Sequence, residues 1–192
     1  MKLDIILAGV GGQGILSIAT ILGEAATKAD LHLKQAEVHG MSQRGGDVQS
    51  NLRLSTDPIR SDLIEKGKAD LIIAMEPMEA LRYVQYLSKD GAIVTSSVPF
   101  VNIPNYPAVE AIEKELATFP CVKKHDIEEV ARESGNSKGS NMVLLGMAAP
   151  FIKILSPEQL REAIKTVFAA KGRETVESNL KAFDNGYKLS IL

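Results

Sequence analysis

The chain has 192 residues, 45% of them apolar and 24% charged, with a formal net charge of -2. That is enough for one domain with a real core and an ordinary soluble composition, and it lacks the basic excess that nucleic-acid binding demands. The single cysteine, Cys121, excludes an internal disulfide and any all-cysteine metal or iron–sulfur site within this chain, and three scattered histidines leave zinc without a ligand set.

Leu3-Asp4-Ile5-Ile6-Leu7-Ala8 reads as a buried strand. Asp4 interrupts this opening run and no small-residue cleavage site follows it, so no secretory leader is expected and a cytoplasmic location is. Gly9-Val10-Gly11-Gly12-Gln13-Gly14 comes next, and then Ile15, Ile18, Leu22, Ala25 and Ala29 recur at helical spacing. Gly9, Gly11 and Gly14 therefore match G-x-G-x-x-G in the setting of strand, tight turn and helix. The first glycine would permit the turn, the second would let a ligand approach the backbone, and the third would let helix pack on strand. Gly9, Gly11, Gly12, Gln13 and Gly14 are thus candidates for holding a phosphate, such as that of coenzyme A, at the positive end of the helix. The alternative is a tight turn that binds nothing.

Leu31 to Val38 reads as a second strand. Glu37 near its end is the one acid placed to hold a ribose hydroxyl, and a mediocre one, because the strand is polar and runs on into a loop. That loop carries Gly40-Met41-Ser42-Gln43-Arg44-Gly45-Gly46. Serine, glutamine and arginine side by side can grip a carboxylate, a phosphate or a partner's backbone, and Arg44 brings a planar fork for it. A solvated surface loop is the plainer reading.

Val48, Leu52 and Leu54 alternate with polar residues and follow without a crossover helix, so this third strand should pair antiparallel. Asp70 to Met75 is a continuous apolar strand, as a parallel sheet interior requires. Pro77 opens the helix after it, with Glu76 and Glu79 as favourable charges at a helix start or, less simply, as active-site carboxylates. A strand at Gly91 to Thr95, a proline-rich connection, a helix around Val109 to Leu116 and a short strand at Cys121 to Lys124 follow. Cys121 there reads as a small buried hydrophobe. Asp126 with Glu129 resembles a capping box for Ile127 to Ser134, and Ser156-Pro157-Glu158-Gln159 another. Between them, Met142 to Leu155 reads as one helix, apolar nearly all round, and so buried or covered by another chain. Pro150 and Lys153 keep it short of a membrane span. A last helix from about Arg173 to Asn185 is expected to close at Gly186.

The pattern gives an α/β class: a Rossmann-like three-layer domain with a mostly parallel sheet, one antiparallel departure after the second strand, and a helical C-terminal segment. It is read as one domain, with an α/β core over 1–140 and the helical segment over 141–192.

Several segments together carry a resemblance. Gly-Val-Gly-Gly-Gln-Gly at 9–14, Ala36-Glu37-Val38-His39-Gly40-Met41-Ser42-Gln43-Arg44-Gly45-Gly46, Ala69-Asp70 before an apolar strand, and Asn179 through Ala182-Phe183 to Gly186 resemble the gamma-type domain of 2-oxoacid:ferredoxin oxidoreductases. Within that family the likeness is to the branch that oxidises indolepyruvate. The resemblance implies a subunit of an enzyme that decarboxylates an arylpyruvate oxidatively, passes electrons to ferredoxin and leaves an acyl-CoA. It also implies that thiamine diphosphate, magnesium and the iron–sulfur clusters sit chiefly on a larger partner subunit, with a role near coenzyme A for this one. The chain agrees by what it lacks, since one cysteine cannot hold a cluster and no Gly-Asp-Gly segment is present to start a thiamine-diphosphate metal site. Nothing here is expected to bind a cofactor firmly, and no residue is assigned a bond-making role. His39, Ser42, Gln43, Arg44, Gly45 and Gly46 are expected to form a loop that docks on the partner near its active-site mouth. The Met142 helix further suggests self-association when the chain is alone. The rival reading is an independent oxidoreductase using NAD(P) or flavin at Gly9–Gly14, and a third is a scaffold whose glycines serve packing only.

Overall fold

The computed structural model describes residues 1–39 and 46–191. Of the expected docking loop, Gly46 and the backbone of His39 are described, whereas Ser42, Gln43, Arg44 and Gly45 lie outside the described residues. Six strands form one sheet among the described residues: β1 (Lys2–Val10), β2 (His32–His39), β3 (Asp47–Ser55), β4 (Ala69–Ala74), β5 (Leu87–Ser96) and β6 (Val122–His125). Their order is β2-β3-β1-β4-β5-β6. The pairs β1–β4, β4–β5 and β5–β6 are parallel, while β3 runs antiparallel to both β1 and β2. The expected antiparallel departure is therefore present, and it places β3 between β1 and β2.

Helices α1 (Ile15–Lys28), α2 (Pro77–Arg82), α3 (Val109–Leu116), α4 (Ile127–Glu133), α5 (Ser140–Ala148), α6 (Pro157–Phe168) and α7 (Arg173–Ile191) complete the domain. The sheet's two faces are covered unequally. Leu3, Ile5 and Leu7 of β1 join a large core with α1 and α4 to α7, whereas Ile6 and Ala8 join a smaller one with Ala80 of α2 and Ile112 and Leu116 of α3. Alternation along a strand buried on both sides forces this division. Full burial of each such isoleucine or leucine contributes about 1.5–3 kcal/mol before the entropy of ordering is set against it.

Two helix readings are corrected. The apolar stretch from Met142 is not one helix to Leu155: α5 ends at Ala148 and a single 3-10 turn, Ala149–Phe151, follows. Pro150 cannot donate to the α-helical ladder, and this ends it. Residues 141–148 are all buried, within this chain's own core and largely against α7. The helix thus offers no apolar face for self-association. Gly186 does not close the last helix either, since α7 continues to Ile191. A Cβ on Gly186 would collide with the Val143 carbonyl, and one on Gly146 with the Phe183 carbonyl. The two glycines let α5 and α7 touch backbone to backbone, and Ser190 Oγ–H adds a hydrogen bond to the Met147 carbonyl.

The caps follow the sequence more closely. Ser156 and Gln159 make a reciprocal capping box on α6, and Asp126 accepts from the Glu129 N–H at the start of α4 at 2.8 Å.

Candidate functional site

The carboxyl ends of β1, β2, β4, β5 and β6 and the amino end of β3 all fall on one edge of the sheet. Chains leaving β1 and β4 go to opposite faces there, which opens the crevice where α/β folds place ligands.

The glycine turn at this crevice is held by its own groups. Gly12 and Gly14 take φ values of 101° and 83°, the left-handed region that suits glycine. Gly9 is packed closely: a Cβ there would lie 3.2 Å from both the Met75 side chain and Gln13 Oε1. Gln13 Oε1 accepts the Val10 N–H at 2.7 Å, and the Gln13 N–H goes to the Val10 carbonyl at 3.1 Å. The Gly11 N–H donates to the Gly46 carbonyl at 2.8 Å. This bond ties the turn to the chain entering β3. At the start of α1 the cap, Gly14, has no side chain and the first turn holds no acid. A cleft of about 250 Å³ lies there, lined by Gly11, Gly12, Gly14, Ile15, Leu16 and Val48 among others.

Asn141 is a residue that pattern reading passed over. Its Nδ2 donates to the Gly14 carbonyl at 3.1 Å, which links the turn to the first residues of α5. A lone amide at the mouth of an otherwise apolar helix was the available signal.

On the α2 side the polar groups are buried and engaged. Glu76, fully buried, caps α2 by accepting the Glu79 N–H at 2.9 Å, and it also accepts the Tyr106 hydroxyl and the Phe100 N–H. Glu79 accepts Arg82 Nε and a terminal nitrogen at 3.0 and 3.1 Å. Burial raises the Glu79 carboxyl above the ordinary range, with Arg82 opposing that rise. Burial also drives the Tyr83 and Tyr106 hydroxyls well up, and the facing Asp47 and Glu76 carboxylates add to it. Glu76 and Glu79 are thus the helix-start charges of the simpler reading, and neither is a free acid–base group.

Glu37 does not serve as a ribose acid beside the glycines. With β3 inserted, β2 is two strands from β1, about 10 Å across the sheet at the usual strand spacing. A dinucleotide-binding unit needs that acid on the strand next to the glycines. Among the described residues no three of His, Cys, Asp and Glu gather as a metal would require. No helix among them is long and apolar enough to cross a membrane. Cys121 is half-buried against the larger core, as a small hydrophobe.

Residues 4–189 match the family model described as pyruvate ferredoxin/flavodoxin oxidoreductase. Indolepyruvate oxidoreductase subunit IorB of Pyrococcus horikoshii is 39% identical over 194 residues, covering 96% of this chain and 94% of that one. Among solved structures, the gamma subunit of a keto/oxoacid ferredoxin oxidoreductase from Geobacter sulfurreducens is 25% identical with a TM-score of 0.71, each chain covered to 98%. A 2-oxoglutarate:ferredoxin oxidoreductase from Magnetococcus marinus shares the fold at TM-score 0.77 and 23% identity. There this chain spans 31% of the longer one. An independent NAD(P)- or flavin-using oxidoreductase finds no support in these likenesses. Matched by the family model over residues 4–189 and by a relative 39% identical over 96% of its length, the chain belongs to the pyruvate ferredoxin/flavodoxin oxidoreductase family.

Proposed function

We propose that this chain is the cluster-free small subunit of a CoA-acylating oxidoreductase that passes electrons from indolepyruvate or a related arylpyruvate to ferredoxin. One observation carries the reading: an end-to-end match to an indolepyruvate oxidoreductase subunit in a chain with a single cysteine. Family members use thiamine diphosphate, iron–sulfur clusters and coenzyme A. A cluster needs several thiolates, and the chain has one cysteine. The clusters and thiamine diphosphate are assigned to a larger catalytic subunit, and the work of this chain is to cover and complete it in the cytoplasm. Coenzyme A fits better, through the cleft at Gly12–Leu16, where the uncapped N–H groups of the first helical turn suit a phosphate.

The docking face is the carboxyl edge. Leu16, Val38, Val98, Phe100 and Val101 are exposed beyond the carboxyl ends of β1, β2 and β5, the last 70% so. Apolar side chains gathered at one edge favour a covered surface. Arg44 adds a charged contact to a carboxylate or phosphate of the partner, and truncating such a desolvated pair costs about 2–5 kcal/mol of association. Co-expression with the large subunit tests this. Arg44→Ala and Val101→Asp should each leave the melting temperature of the isolated chain unchanged and weaken assembly and indolepyruvate oxidation. Normal assembly and turnover in both variants would remove the docking assignment. A complex that oxidises 2-oxoglutarate in preference to indolepyruvate would remove the substrate.

A further inference from the structure

We propose that a second hollow, behind the glycine turn, is an anion site for the phosphate group of an organic phosphate monoester. It lies between α1, the connection into α5 and the start of α7, with a volume of about 360 Å³. Lys138, Lys171, Ser17, Asn141, Thr175 and Asn179 contribute to its wall.

Charge is the first argument. Both lysines line the hollow, no carboxylate does, and neither lysine has an ion pair among the described residues. The chain as a whole carries -2, so this positive spot is local and does not reflect general basicity. The start of α5 strengthens it: the cap is Gly139, no side chain bonds there, and the first turn holds no acid. A phosphate monoester, near two negative charges with three acceptor oxygens, matches two ammonium groups better than a carboxylate does.

Order is the second argument. Lys171 Nζ stands 5.2 Å from the centroid of the Phe168 ring, itself part of the wall, so the ammonium is held at the rim. Asn141 and Asn179 are only 9% and 7% exposed. Asn141 Nδ2 donates to the Gly14 carbonyl, Asn179 Nδ2 donates to the Thr175 carbonyl at 2.8 Å, and Asn179 Oδ1 accepts from Asn136 Nδ2 at 3.2 Å. Each amide of Asn141 and Asn179 is thereby oriented and keeps a second N–H for a ligand. The volume lies near the lower end of small-molecule sites, roughly 300–1,000 Å³, which suits a phosphate with its attached sugar and excludes a whole dinucleotide.

The site is separate from the cleft at Gly12–Leu16, and its test uses this chain without a partner. Failure here therefore leaves the subunit reading intact. The full chain is titrated with ribose 5-phosphate, inorganic phosphate and ribose, followed by calorimetry and by backbone amide shifts. Ribose 5-phosphate should bind saturably and more tightly than inorganic phosphate, ribose should not bind, and added salt should weaken the complex. Shifts should centre on Lys138, Asn141 and Lys171 to Asn179. Lys138→Ala with Lys171→Ala should weaken binding by about tenfold or more, as loss of charge-assisted contacts implies, at an unchanged melting temperature. Absence of saturable binding at millimolar ligand, equal binding of the ester and inorganic phosphate, an unaffected double variant, or shifts confined to Gly12–Leu16 would each overturn the proposal.

Discussion

Glycine serves two different ends in two regions of this molecule. At the β1–α1 turn, Gly12 and Gly14 supply backbone angles that other residues reach only with strain, and a Cβ on Gly12 would meet nothing within 4 Å. At the crossing of α5 and α7, Gly146 and Gly186 have ordinary helical angles, and a Cβ on either would strike the partner helix's backbone. One pair is needed for conformation and the other for space. The turn pair is the less constrained by packing, and the helix-crossing pair holds the core together. A glycine pattern is therefore weak grounds for a ligand until the fate of the surrounding N–H groups is known. In this turn those of Val10, Gly11 and Gln13 are already engaged.

The largest test of this contrast is Gly146→Ala. The added methyl must separate two buried helices, because the obstacle is the Phe183 backbone, which cannot rotate away. A loss of about 3 kcal/mol or more is expected, the upper end for overpacking, and Gly186→Ala should behave alike. Chemical denaturation measures both. A cost below about 1 kcal/mol in either variant would mean that the crossing can spread.

Next in size is Gly14→Ala. The left-handed angle costs about 1–2 kcal/mol, and a Cβ would lie 2.8 Å from Asn141 Nδ2. Asn141→Ala alone removes a hydrogen bond worth about 0.5–1.5 kcal/mol. The double variant should cost less than the sum of the two singles, because Asn141→Ala relieves the clash that Gly14→Ala creates. Simple additivity would show that the two residues do not touch.

How far the sequence discloses this structure depends on whether the signal is local. Continuous apolar runs disclosed β1 and β4, alternation disclosed β3, the missing crossover helix before it disclosed its antiparallel sense, and Ser156 with Gln159 disclosed the capping box, since each is written within a few residues. Gly186 was misread as a helix end because a C-terminal glycine and a packing glycine look identical until the facing helix is known. The apolar run from Met142 indicated burial without saying by what, and α7 lies far along the chain. Asn141 and the lysine-lined hollow were invisible for the same reason, being assembled from positions 17 to 179. Gly9, Gly11 and Gly14 were legible as a turn. The loss of the Gly11 N–H to Gly46 was not, because it depends on how β3 enters the sheet.

The smallest effect is the most informative about function. Gly12 has a left-handed φ and open space around its Cβ position, so Gly12→Ala should cost only the backbone term, about 1–2 kcal/mol. Gly12 lines the cleft at the start of α1, so an added methyl is expected to hinder a phosphate approaching the helical N–H groups. A turn that only turns would therefore lose a little stability and nothing else. A turn that receives coenzyme A would lose affinity as well, with the Michaelis constant for coenzyme A rising in the reconstituted enzyme and that for the oxoacid unchanged. An unaltered coenzyme A constant in an assembled, folded Gly12→Ala enzyme would reduce the turn to a structural corner, and any phosphate site on this chain would then lie elsewhere.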